Sequence, residues 1–116
     1  MRVARTAYGR ALVDTHGFAL YVFTHDRSPQ STCYGACAAA WPPYLVANRP
    51  SNAARGAPAR LIGGVRRADG RLQVTYAGHP LYHYVGDRRA GQILCQAVPE
   101  FGGTWYVIAP SGDAIR

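Results

Sequence analysis

The chain has 116 residues, enough for one domain that buries about two thirds of its unfolded surface. Hydrophobic residues make up 48% and charged residues 16%, a globular balance that excludes a disordered chain; no apolar run approaches the ~18 residues of a membrane-spanning helix. The formal charge is +7, carried by Arg with no Lys; codon bias of a GC-rich genome is the favoured explanation and an anion-binding surface the alternative.

No basic stretch leading into an apolar core opens the chain. It therefore reads either as an intracellular protein or as the mature part of a chain whose leader has been removed. Residues 10–14 (Arg-Ala-Leu-Val-Asp) form a short predicted strand ended by the turn Thr15-His16-Gly17. Residues 18–24 form the next strand and pair with the first as a hairpin. Leu20 and Val22 lie on one face, Tyr21 and Phe23 on the other, so the pattern predicts burial on both sides.

Residues 26–32 are a loop. Ala36-Cys37-Ala38-Ala39-Ala40 is the only strong helix-forming run, and Pro42-Pro43 stops it. Tyr44-Leu45-Val46 is extended. Residues 47–60, rich in Asn, Arg, Pro, Ser, Gly and Ala, connect two halves. Strand-forming sequence resumes at 61–67, turns at Ala68-Asp69-Gly70, and continues as Leu72-Gln73-Val74-Thr75-Tyr76, whose period of two predicts a half-buried strand. Residues 80–85 form another strand, 86–100 are irregular, and 104–109 form the last strand. The closing Val-Ile-Ala-Pro-Ser-Gly echoes Leu12-Val13-Asp14-Thr15-His16-Gly17 and suggests a sheet that brings the chain ends close.

Gly17-Phe18-Ala19-Leu20-Tyr21-Val22-Phe23-Thr24-His25-Asp26 recurs as Gly78-His79-Pro80-Leu81-Tyr82-His83-Tyr84-Val85-Gly86-Asp87, with an offset of 61 residues (78 − 17). Gly, Leu, Tyr, a second aromatic and Asp repeat in register. The expected architecture is mainly β: an antiparallel sheet, small barrel or sandwich of two pseudo-symmetric hairpin repeats, with one short helix near residues 36–41. One domain spans 1–116, with repeats at about 8–46 and 61–109 and the connection at 47–60. The Cys33–Trp41 stretch reads as an insert of the first half alone.

Both copies fit Tyr-x-aromatic-x-x-Asp. With Leu12-Val13-Asp14, Ser31-Thr32-Cys33, Gly35-Ala36-Cys37-Ala38, Ala40-Trp41-Pro42-Pro43 and Trp105-Tyr106-Val107, the chain resembles, over about residues 8–112, a bacterial family described as a secreted repeat of unknown function, predicted lipoproteins carrying this motif. The resemblance implies export, often with a lipid anchor, and no assigned reaction. These residues contain no lipoprotein leader of the family's kind, so the resemblance gives no expectation of an anchor for them. Cys95 is extra to the family's cysteine pair, and His79 and His83 stand where its members more often carry aromatics.

Cys33 and Cys37 fit a disulfide closing a tight loop, the default for an exported chain. They also fit a redox or metal-binding thiol pair, although redox pairs usually have two intervening residues rather than three. Cys95 is either a free thiol or a partner of one of them. Asp26 and Asp87 read as turn-fixing carboxylates, with Tyr21 and Tyr82 packing in the core and tying their hydroxyls to backbone. The sharper alternative is that symmetry brings Asp26 and Asp87 together, with His25 and His83, as a metal or acid–base site. Phe23, Tyr84, Trp41 and Trp105 complete the motif and structural set. The residues call for no cofactor and carry no strong nucleic-acid signal. They point to a small exported or cell-envelope β domain that is a binding or structural module rather than an enzyme, its partner an envelope protein or small ligand. The alternative is an envelope redox or metal-handling protein.

Overall fold

The computed structural model describes residues 1–48 and 56–116; half of the expected connection 47–60, residues 49–55, lies outside the described residues. Strands β1 (Arg2–Thr6) and β2 (Gly9–Val13) form one hairpin. Strand β3 (Tyr21–Phe23) comes next, then helix α1 (Ala36–Ala40), β4 (Leu45–Val46), β5 (Ile62–Arg66), β6 (Leu72–Tyr76), β7 (His79–Pro80), β8 (Val98–Glu100) and β9 (Gly103–Val107). All pairings are antiparallel. One sheet is β1-β2 and a second is β3-β9-β8. In the third, β6 pairs with β5 on one edge and with β4 and β7 on the other. Among the described residues the sheets do not close into a barrel.

The expected hairpin between 10–14 and 18–24 is corrected. The ladder partner of β2 is β1, a short, Arg-rich strand whose weak alternation hides it. Residues 18–24 touch β2 through a single bridge, Val13 to Ala19, and β3 pairs instead with β9. Residues 80–85 are also less regular than expected. Only His79–Pro80 forms a ladder, and Tyr82 makes isolated bridges to Tyr21 and Pro43. The half-burial expected of 72–76 is wrong as well, since all five residues are buried. Gln73 is tolerated there because its Oε1 accepts from Arg67 (2.8 Å) and its Nε2 donates to Leu81 O (2.7 Å).

The pairings reveal how the two copies are joined. The segment around each Trp lies against the other copy's strands. Thr24 N–H donates to Thr104 O and Val85 N–H to Ala40 O, both at 3.0 Å. Leu12 N–H donates to Ile108 O (2.9 Å) and Val74 N–H to Tyr44 O (2.8 Å). Each copy therefore lends its closing segment to its sister. The echo of 12–17 in 107–112 has its physical meaning in the Leu12–Ile108 bond, which sets the two chain-terminal segments side by side.

Burial on both sides of 18–24 is confirmed. Tyr21 and Phe23 join a core with Trp41, Tyr82, Trp105, Cys33 and Cys37. Leu20 and Val22 join a second core with Leu12, Val74, Tyr76, Leu81 and Ile108. The strand is a wall between two apolar layers, which is why its sequence lacks a polar face. Gly103 has a local reason: a Cβ there would stand 2.6 Å from Phe23, so no larger residue lets β9 pass the ring.

Candidate functional site

The motif residues meet where the copies cross. Tyr21 and Tyr82 exchange two backbone hydrogen bonds, Tyr21 N–H to Tyr82 O at 2.8 Å and Tyr82 N–H to Tyr21 O at 3.0 Å. Each hydroxyl then reaches the aspartate of the opposite copy. Tyr21 donates to Asp87 Oδ2 at 2.6 Å, and Tyr82 donates to Asp26 Oδ2 at 2.7 Å. The hydroxyls are thus tied to carboxylates rather than to backbone.

The second oxygen of each carboxylate fixes the adjoining loop. Asp26 Oδ1 accepts from the N–H (2.8 Å) and hydroxyl (3.0 Å) of Thr32, and Asp87 Oδ1 accepts from Leu94 N–H (3.0 Å). Among the described residues, Asp26 and Asp87 share no hydrogen-bond partner. Burial raises both carboxyls above the ordinary range, and the hydrogen bonds they accept oppose that rise. Burial, reinforced by the neighbouring Asp, pushes both tyrosine hydroxyls far up, so they remain donors across the working pH range.

Behind these bonds stands an aromatic stack. Phe23 lies on Trp105 and Trp105 on Trp41, each with centroids 4.0 Å apart and planes within 6°. Tyr84 packs on Trp41 at 4.6 Å, tilted by 42°, and His25 stacks on Phe23 at 5.7 Å. Tyr21 meets Trp41 edge-on at 5.1 Å, and Tyr82 meets Trp105 edge-on at the same distance. Both indole N–H groups donate to Glu100, Trp41 to its carboxylate (2.7 Å) and Trp105 to its carbonyl (3.1 Å). Of the Cys33–Trp41 stretch expected in the first half alone, Trp41 has a counterpart in Trp105, each meeting its motif tyrosine edge-on, while α1 and the disulfide have none among the described residues. Unequal spacing after the cysteines (eight residues from Cys33, ten from Cys95) conceals this in the sequence.

Cys33 and Cys37 form a disulfide, with Cα atoms 5.3 Å apart. Cys95 is free and packs against the same core. Burial raises its thiol pKa, Asp87 and Glu100 add to the rise, and a hydrogen bond with Tyr84 opposes it. A thiol held protonated is a poor nucleophile.

The histidines go separate ways. His25 Nδ1 contacts Thr32 Oγ1 (3.0 Å), His79 Nδ1 contacts Ser28 Oγ (3.1 Å), and His83 Nε2 contacts Asp14 Oδ2 (2.9 Å). Among the described residues, no group of three or more His, Cys, Asp or Glu side chains gathers as a metal ion would require.

One central residue has no signature in the sequence. Arg67, only 4% exposed, donates to Ser31 Oγ (3.1 Å), Gln73 Oε1 (2.8 Å) and Cys33 O (2.6 Å), and lies over the Tyr34 ring at 4.3 Å. Ser31 Oγ is in turn 2.6 Å from Tyr82 Oη. The guanidinium therefore belongs to the same web as Asp26 and favours its charged form. In sequence Arg67 reads only as half of an Arg-Arg pair before a turn.

A family model described as a secreted repeat of unknown function matches residues 2–44 and again 63–109. The chain belongs to this family. The two matched stretches contain the two halves whose closing segments are exchanged, one motif Tyr and one motif Asp in each. The description of the secreted repeat supports an extracellular setting, and no helix among the described residues is long and apolar enough to cross a membrane. No curated protein and no solved structure gives a significant match.

Proposed function

We propose that this secreted-repeat chain is a binding or structural module of the cell envelope or exterior rather than an enzyme, with residues 1–116 acting as one domain. One observation carries the reading. The polar ends of the motif residues are spent on each other: Tyr21 on Asp87, Tyr82 on Asp26, both indoles on Glu100. Both oxygens of Asp26 and of Asp87 already accept protein donors, and buried polar groups so satisfied serve cohesion. The motif then builds the fold, and function falls to the surface around it.

The test is metal analysis and thiol counting on protein purified without a histidine tag. The expected result is one reactive thiol in unfolded, unreduced protein, three after reduction, and no stoichiometric metal. Stoichiometric copper, zinc or iron, or three thiols before reduction, would overturn the reading in favour of a metal-handling or redox protein.

A further inference from the structure

The β1–β2 hairpin opens the first family-matched stretch and β5–β6 opens the second, yet they treat their arginines differently. In the second, the turn carries Asp69, whose carboxylate takes Arg71 at 2.8 Å and stands 3.9 Å from Arg67 Nε. Arg66 faces Leu72 across the ladder and donates to Gly70 O at 2.9 Å. In the first, Arg5 directly faces Arg10, and the turn between them, Thr6-Ala7-Tyr8-Gly9, has no acid. Residues opposite one another on paired strands point to the same face, and like charges placed so are destabilising. Among the described residues, neither guanidinium has an ion-pair partner, and both residues are at least partly exposed.

No other acid among the described residues neutralises them. Asp14 takes His83, Asp26 and Asp87 take the motif tyrosines, Glu100 takes Trp41, and Asp113 takes Ser111. These acids are hydrogen-bonded within the fold, on the second hairpin or, for exposed Asp113, to a neighbouring serine, and the excess of +7 is left to arginine. Between Arg5 and Arg10 the turn presents Tyr8, 46% exposed. A fork of guanidinium donors matches carboxylate and sulfate groups, and an exposed aromatic face suits a sugar ring.

We propose that the tip of the β1–β2 hairpin binds an acidic polysaccharide, Arg5 and Arg10 taking its anionic groups and Tyr8 packing on a sugar ring. The extracellular setting favours a surface glycan over nucleic acid. The proposal rests on the binding-module reading above.

The full chain is run on immobilised heparin, a sulfated polysaccharide, with a salt gradient. Wild-type protein is expected to be retained at 0.15 M salt, where exposed charges more than about 8 Å apart are screened. The double variant Arg5→Ser/Arg10→Ser is expected to bind about tenfold more weakly, the scale of losing one or two charge-assisted hydrogen bonds. Tyr8→Ala is expected to weaken binding several-fold without changing its salt dependence. Arg66→Ser/Arg71→Ser removes the same charge from the second hairpin and is expected to leave retention nearly unchanged. Lack of wild-type retention, equal losses from the two double variants, or tighter Arg5- and Arg10-dependent binding to duplex DNA or anionic vesicles would each overturn the proposal. Metal and thiol analysis of the same sample judges the module reading separately, so either idea can fail alone.

Discussion

The two repeats share a frame and differ in what surrounds it. In both, a buried Tyr reaches the other copy's Asp, a Trp enters the central stack, and a loop is pinned by a carboxylate oxygen. Around Tyr82 and Asp26 lies a polar web of Ser31, Thr32, Gln73 and buried Arg67, and the adjoining loop is closed by a disulfide. Around Tyr21 and Asp87 the surroundings are sparser: Leu94 N–H, Tyr84 and a free thiol. The crossing, which each half needs from the other, is held in common. The neighbourhoods are free to diverge because each carboxylate needs only one Tyr and one loop N–H to stay satisfied.

Breaking the shared frame should have the largest effect and should not distinguish the repeats. Trp41→Ala and Trp105→Ala each remove a fully buried indole from the same stack. Each should cost about 3–5 kcal/mol in urea denaturation. A loss from one that is less than half the loss from the other would show that the two places are not equivalent.

Opening the disulfide tests a feature of the first repeat alone. Closing a five-residue loop is worth about 2 kcal/mol by chain entropy, so Cys33→Ser/Cys37→Ser should lower stability by that order. Cys95→Ser should change it by far less, and equal effects would contradict the assignment of Cys95 as unpaired.

The tyrosine hydroxyls probe the difference in surroundings. Tyr21→Phe leaves Asp87 Oδ2 without its donor in a buried site and should cost about 1–3 kcal/mol. Tyr82→Phe should cost less, since Asp26 keeps both bonds from Thr32 and the nearby Arg67 charge. The reverse order would mean that the polar web depends on the Tyr82 hydroxyl more than the carboxylate does.

The smallest effect is in pH dependence. Asp26 and Asp87 have folded pKa values raised by burial, so between the unfolded and folded values the native state binds more protons. Their contribution to stability therefore falls as pH rises above the ordinary carboxylate value of about 3.9. Asp14 acts oppositely. Burial pushes its pKa up, but the Phe18 N–H, His83 and the His16 N–H outweigh it and lower the net value. Its contribution is present above the ordinary value and lost as pH falls through the folded one. Asp87→Asn should flatten the first slope and Asp14→Asn the second, read by denaturation between about pH 2 and 7.

Much of this was legible in the sequence because it depends on local periodicity. The duplication, the single helix stopped by Pro42-Pro43, the strand buried on both faces and the loop-fixing aspartates come from residue type and spacing, as does the family. Features that depend on distant partners were not legible. Strand β1 pairs through its backbone, which leaves little mark on side-chain pattern. Gln73 looks exposed because alternation cannot show that Arg67 and Leu81 supply its partners, and Thr75 because it cannot show the flanking strands β5 and β7. The sequence alone determined that two copies of one unit exist. Only the tertiary structure decided that they are interlocked, because a tyrosine's hydroxyl and an aspartate's oxygen find each other through an antiparallel bridge between tyrosines 61 residues apart, and no periodicity within either copy encodes which copy supplies the partner.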